Sequence, residues 1–284
     1  MNCVIALGFF DGIHIGHGAL LRMARRRADE LGCAACLLTF DMHPDTLVFG
    51  TKVPLINTPA DRQAIAKEYY GIDRILTVHF DRAMMQMPWE DFVVQLQTYG
   101  AVHVVCGHDF RFGDHGLGNA SRLKEKTAAL RIGCDVVGEV KLDGVTVSST
   151  YIRQLLQNGE IARANRYLGH PHRLTGTVTS GIRTAGFLLP PDILPPKFGV
   201  YATRVRIDHA SYIAATNVGI CLSGEGAKVE SWLPDFNGDL QGREIRVEFY
   251  QRLRDAKEFS STDALQAQIR QDAQRARAFF LQNP

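Results

Sequence analysis

Two histidines three residues apart, His14 and His17, stand in the stretch GFFDGIHIGHGALL (8–21), where an apolar run gives way to glycines and then to a helical pattern. A strand feeding a glycine-bearing loop and a helix start is the outline of a phosphate site. The first backbone N–H groups of a helix lack intrahelical partners, and the helix dipole favours an anion there. Gly8, Gly12 and Gly16 let the backbone approach a ligand closely. Imidazoles at that place supply donors for charge developing on a phosphate. A second candidate is SSTYIR (148–153), with Ser149 and Thr150 at a helix N-terminus and Arg153 about one turn on. Hydroxyls, free N–H groups and a guanidinium fork together collect phosphate oxygens. TFDMHP (39–44) and GHDFRFG (107–113) each close an apolar run. Phe40, His43 and Pro44, with Asp109, Phe110 and Phe112, suit the wall of a flat ring. Spacing alone leaves open whether these aromatics line a ligand or pack a core.

The elements that must position these residues change character along the chain. The apolar runs 3–10, 34–40, 74–80, 101–107 and 134–140 do not alternate, as strands buried on both faces require. Between them the periodicity predicts helices over 18–31, 59–70 and 88–99. The first places Leu20, Leu21, Ala24, Ala28 and Leu31 on one stripe, with Gly32 as its stop. This β-α order predicts an α/β fold with a doubly wound parallel sheet, whose ligand crevice lies at the carboxyl ends of the strands. After a helix at 160–168 the pattern becomes one of alternating strands, with no helix until 261–281, where Ser261 or Thr262 caps a face of Leu265, Ile269, Ala273 and Ala276. A small antiparallel β-barrel with a C-terminal helix follows. The expected domains are 1–169 and 170–284.

The chain has 284 residues, 45% of them hydrophobic and 22% charged, with a formal net charge of +2. Neither a nucleic-acid partner nor an acidic membrane surface is indicated. The absence of an 18-residue apolar run and of a signal-peptide pattern points to a cytoplasmic protein without a membrane span. Cys3, Cys36, Cys106 and Cys221 lie in apolar runs and read as reduced thiols; the lone C-x-x-C of Cys33 and Cys36 argues against zinc. The run RMARRRADE (22–30) reads as a solvated helix face.

HIGH resembles the HxGH signature of nucleotidyltransferases, which transfer an adenylyl group from ATP and release pyrophosphate. GFFDGIHIGH as a whole is similar to the N-terminal motif of the bacterial FAD synthetase family, the bifunctional riboflavin kinase/FMN adenylyltransferases. TFDMHP, GHDFRFG and VSSTYIRQLLQNGEIARANRYLGHP (147–171) resemble further family segments in the same order. In the C-terminal half GVYA (199–202), DFNGDLQGREIRVEF (235–249) and ALQAQIRQD (264–272) resemble segments of the kinase domain. The resemblance implies that His14, His17 and Arg153 are catalytic. It implies that Gly8, Phe9, Phe10, Asp11, Gly16, Ser149 and Thr150 bind ATP, and that Phe40, His43, Pro44, Asp109, Phe110 and Phe112 bind flavin. ATP and FMN would be the substrates, with riboflavin a third if the kinase works, and Mg²⁺ would bridge phosphate oxygens.

The kinase half departs from the family. Where a G-x-PTAN-like stretch should seat Mg-ATP, Leu188, Leu189, Pro190 and Pro191 follow Gly186 and Phe187. Proline supplies neither a hydroxyl nor a backbone N–H. NVGICLS (217–223) lacks the arginine, proline and threonine of NIG-x-RPT, while Glu230 matches the kinase base. The resemblance therefore implies an FMN adenylyltransferase with an inactive or impaired kinase. A fully bifunctional enzyme and a non-catalytic flavin- or nucleotide-binding regulator are the alternatives.

Overall fold

The computed structural model describes residues 2–179, 184–221 and 226–283. Leu222 and Ser223 of NVGICLS lie outside them. Packing divides the chain into two compact units, 1–55 with 62–148, and 56–61 with 149–284.

The first unit is built on five parallel strands, β1 (Cys3–Leu7), β2 (Ala34–Phe40), β3 (Arg74–Val78), β4 (Ala101–Gly107) and β7 (Gly133–Val137), in the order β3-β2-β1-β4-β7. Two short hairpins, β5 (Arg111–Phe112) with β6 (Gly118–Asn119) and β8 (Lys141–Leu142) with β9 (Val145–Thr146), lie outside it. All of β1 is buried, because successive side chains enter two different cores. Cys3, Ile5 and Leu7 pack with Phe92, Val93 and Leu96 of α5 (Trp89–Thr98) and Leu123 of α6 (Ala120–Ala129). Val4 and Ala6 pack with Leu20, Leu21 and Ala24 of α1 (Ile15–Leu31) and Ile65 of α3 (Pro59–Tyr70). This two-sided burial is the expected doubly wound sheet. Helix α1 ends at Gly32 in the left-handed region (φ 62°), as its sequence predicts. Leu31, the last residue of the helix, is however exposed rather than buried with the rest of the stripe. The basic run on α1 is a solvated, ion-paired face: Arg25 pairs with Asp29 and Asp73, both at 2.7 Å. Two short helices, α2 (Pro44–Phe49) and α4 (Arg82–Met85), and the whole of α6 are additions to the sequence reading.

The second unit holds a six-stranded antiparallel sheet, β10 (His172–Thr177), β11 (Thr184–Leu188), β12 (Gly199–Ile207), β13 (Ala210–Ile220), β14 (Ala227–Trp232) and β15 (Glu244–Asp255), in the order β10-β15-β12-β13-β14-β11. It curls until its edges approach. Thr179 N–H donates to the Gly186 carbonyl at 2.9 Å, and the Phe187 ring fills the space a Cβ on Gly176 would need. Helices α7 (Ser149–Asn158) and α8 (Ile161–Leu168) pack with this sheet; Asn165 Nδ2 donates to the Phe249 carbonyl at 2.7 Å. Ser261 caps α9 (Thr262–Gln282). The buried face of α9 runs through Asp272, Ala276 and Phe280, and Leu265 is exposed. Of the expected face, Ala276 is buried and Ile269 and Ala273 are half-buried, and the buried stripe also takes in an acid. Asp272 is held there by the Arg254 guanidinium, at 3.0 and 2.7 Å. None of the six cysteines is in a disulfide; Cys3, Cys36 and Cys106 are buried and Cys221 is half-buried. Among the described residues, no helix is long and apolar enough to cross a membrane.

His172 gives this unit a pH dependence. Its ring is fully buried against Phe249, and neither nitrogen has a hydrogen-bond partner. Burial, and secondarily His170, lower its pKa to about 3. The unfolded chain takes up this proton near pH ~6.5, so it binds more protons than the folded one between about 6.5 and 3. The contribution is therefore fully present above ~6.5 and is lost on acidification, at about 1.4 kcal/mol per pH unit. Urea unfolding should show the wild type losing about 2 kcal/mol more than His172→Phe between about pH 6.5 and 5. Parallel loss in both proteins would remove His172 from the acid response.

Candidate active site

In the first unit the loop after β1 is pinned by burial. Phe10 (φ 59°) and Ile13 (φ 38°) occupy the left-handed region although neither is glycine, and both side chains are fully buried. Conformations that unfavourable persist only where surrounding packing over-determines them. His14 then caps α1, its Nδ1 accepting the His17 backbone N–H at 3.1 Å. An accepting Nδ1 places the proton of the neutral ring on Nε2. The two imidazoles stack face to face, with centroids 3.6 Å apart and planes 13° from parallel. His17 is half-buried, and its Nδ1 is covered by protein without a hydrogen-bond partner. Burial first, then the charges of His14 and Arg62, hold its pKa well below the usual histidine range. His17 is thus a neutral ring in a preorganised histidine pair at a helix mouth. A Cβ on Gly16 would meet the His14 ring at 3.1 Å, so glycine there is what lets the ring lie across the helix start.

Strand β2 delivers its motif beside this loop. Thr39 Oγ1 donates to the Phe9 carbonyl at 2.7 Å, and the His43 ring packs edge-on against Phe9 at 4.6 Å. Buried Asp11 lies within the loop. Arg62, which the sequence reading did not single out, lies over the Phe9 ring at 4.4 Å.

A cavity of about 370 Å³ opens in the same unit. Phe40, Pro44, Phe110 and Phe112 line it, together with Phe80, Met84 and Met85. Its volume falls in the range of small-molecule sites, and its walls are mostly aromatic and thioether carbon, as a flat aromatic ring requires. His43 and Asp109 do not line it. His43 faces Phe9, and Asp109 is exposed, with its Oδ1 turned back over Gly107. Met84 and Met85 could have been noticed as an M-M-x-M run after the third strand, but nothing local says that they face a ligand.

The second unit carries the other residues. Ser149 and Thr150 open α7, whose buried side is Ile152, Leu155 and Leu156, and Arg153 is half-buried one turn on. Glu230 lies on β14 opposite Gly186, its carboxylate paired with Lys228 Nζ at 2.7 Å. After β11 the chain folds onto the sheet: Leu189 N–H donates to the Ala227 carbonyl at 2.9 Å, and Leu189, Ile193 and Leu194 are buried.

A parallel α/β unit with a histidine pair at a helix mouth, joined to a curled antiparallel sheet with a C-terminal helix, is the architecture of a flavin nucleotide-forming transferase. The FAD synthetase family model matches residues 1–151, and the riboflavin kinase model matches 168–280. The bifunctional riboflavin kinase/FMN adenylyltransferase of Listeria monocytogenes is 31% identical, covering 99% of this chain and 93% of its own. That of Pseudomonas fluorescens is 34% identical, covering 98% and 93%. A crystal structure of a macrolide-efflux protein from Streptococcus pneumoniae superposes with a TM-score of 0.84 at 28% identity, covering 97% of this chain and 94% of that one. The chain belongs to the bifunctional riboflavin kinase/FMN adenylyltransferase family.

Proposed function

We propose that the chain makes FAD by transferring the adenylyl group of ATP to FMN, and that its kinase half is inactive or impaired. The stacked His14–His17 pair in the same unit as the apolar cavity is the observation that carries the first part. An FMN phosphate oxygen attacks the α-phosphorus in line. The new P–O bond forms as the bond to the β-phosphate breaks, and pyrophosphate leaves. No enzyme base is needed, because a phosphate monoester is largely dianionic near neutral pH. His14 Nε2–H and the neutral His17 ring donate to the oxygens gaining charge. Gly8, Phe9, Phe10, Asp11 and Gly16 shape the nucleotide loop, and Ser149, Thr150 and Arg153 bind phosphate. Phe40, Pro44, Phe110 and Phe112 hold the flavin ring, while His43 and Asp109 act at the margins of its site. Mg²⁺ enters as part of the ATP substrate. Among the described residues no group of three His, Cys, Asp or Glu side chains is arranged to hold a metal, so the phosphates would carry it.

The functional boundary is proposed at 169/170, with adenylyl transfer assigned to 1–169. The kinase-like part, 170–284, has buried Leu189 and Leu194 and the prolines Pro190 and Pro191 after β11, where polar groups would have to seat Mg-ATP. Glu230 is engaged by Lys228. General-base help is worth about 10²–10⁴-fold and does not replace positioning of the γ-phosphoryl group. Incubation with Mg²⁺, ATP and either FMN or riboflavin, followed by chromatography, separates the readings. FAD should form from FMN, with no appreciable FMN from riboflavin. FMN at an enzymatic rate would restore the bifunctional reading, and no FAD from FMN would leave a non-catalytic binder.

A further inference from the structure

We propose that Arg62 is a positioning residue of the adenylyl-transfer site, holding the Phe9–His17 loop in its anion-binding shape. This rests on the adenylyltransferase reading above. Arg62 lies outside the segments quoted above as resembling the family, yet it is only 4% exposed. Its Nη1 donates to the Phe9 carbonyl at 3.0 Å and to Thr39 Oγ1 at 3.1 Å, and Thr39 Oγ1 itself donates to Phe9 at 2.7 Å. The guanidinium carbon stands 4.4 Å over the Phe9 ring. One planar cation thus fixes both the carbonyl and the side chain of the residue that precedes the left-handed turn at Phe10.

Arg62 makes no ion pair among the described residues, and its Nε is covered by protein without a partner. Burial pulls its pKa down, and Asp11 is the acid that opposes this. A cation this deep without a carboxylate is costly to the fold. The cost has a use where the counter-charge arrives with the substrate. The charged and titratable groups bearing on His17 are His14, from its own loop, and Arg62, from α3. Arg62 therefore disfavours protonation of His17 and helps keep that ring neutral.

Arg62→Met and Arg62→Lys of the full chain test this, with kcat, the KM for FMN and for Mg-ATP, and NMR titration of the histidine rings. Arg62→Met should lower kcat by about ten- to a hundredfold, as a loosened loop misplaces the donors, with little change in the KM for FMN. The His17 titration should move to higher pH. Arg62→Lys should leave that titration near its wild-type position, because the charge remains. It should still lower kcat, because a lysine ammonium lacks the planar guanidinium face that lies over Phe9 and sits on a differently shaped stem, so it does not hold the loop in the same position. If Arg62→Met fails to fold, Arg62→Lys decides: an unchanged kcat would overturn the role. Variants that are only less stable, with kcat per folded molecule and His17 titration unchanged, would overturn it as well. A wild type that forms no FAD sinks the adenylyltransferase reading and this role with it. A wild type that forms FAD while both variants match it sinks this role alone.

Discussion

His17→Ala lowers FAD formation from FMN and Mg-ATP by about two orders of magnitude or more, with the fold retained. The size follows from removing a preorganised donor to charge that develops only in the transition state, which costs about 10²–10³-fold in kcat. The fold survives for a reason specific to this loop. The cap of α1 uses the backbone N–H of His17 and the ring of His14, so alanine at 17 keeps that hydrogen bond. His14→Ala removes cap and donor together, which makes it the less informative variant. The stacked geometry also sets the form in which the pair works. Two imidazolium charges at 3.6 Å would repel, and burial already holds the His17 pKa low, so His17 works as the neutral ring. Chromatographic turnover alongside a thermal melt is the measurement. Near-normal turnover in a folded His17→Ala protein would remove the pair from the mechanism.

Asp61→Ala destabilises the second unit by about 3–5 kcal/mol, the scale on which breaking a buried ion pair acts. Asp61 is 2% exposed and fully engaged. Its Oδ1 accepts from Thr175 Oγ1 at 2.6 Å, its Oδ2 accepts the Thr175 N–H at 3.1 Å, and Arg173 Nε stands 3.6 Å away. Arg173 also donates to the Asp61 carbonyl, and Asn57 donates to that of Arg173. The segment 56–61 is therefore a working part of the unit formed by 149–284. Alanine would leave the Arg173 charge inside without this carboxylate. Urea unfolding of Asp61→Ala and of Asp61→Leu/Arg173→Met distinguishes the buried charge from lost packing. The double variant should recover much of the loss, because an apolar pair of similar volume avoids desolvating two charges. A single variant within about 1 kcal/mol of wild type would contradict the account.

Much of this was legible in the chain because it depends on neighbours in sequence. The β-α order, the Gly32 stop, the Ser261 cap and the histidines at the start of α1 follow from dihedral preference and from groups one helical turn apart. The aromatic residues of TFDMHP and GHDFRFG could be named as candidates for the same reason: a parallel sheet presents its carboxyl ends on one side. Periodicity overreached at Leu31 and Leu265, which share a stripe with buried residues but lie in the last and first turns of their helices, where they are exposed. Tertiary structure alone decided the rest. It put Asp272 in a core by giving it Arg254, turned His43 toward Phe9, and brought Met84 and Met85 to the cavity. It also assigned Asp61 to a partner 112 residues away and its neighbour Arg62 to a carbonyl 53 residues back. A charged group in an interior needs a fixed counterpart, the Arg173 guanidinium for Asp61 and the Phe9 carbonyl with the Thr39 hydroxyl for Arg62. That counterpart is chosen by the packing of distant strands and helices, so no local pattern around residues 61 and 62 could have announced it.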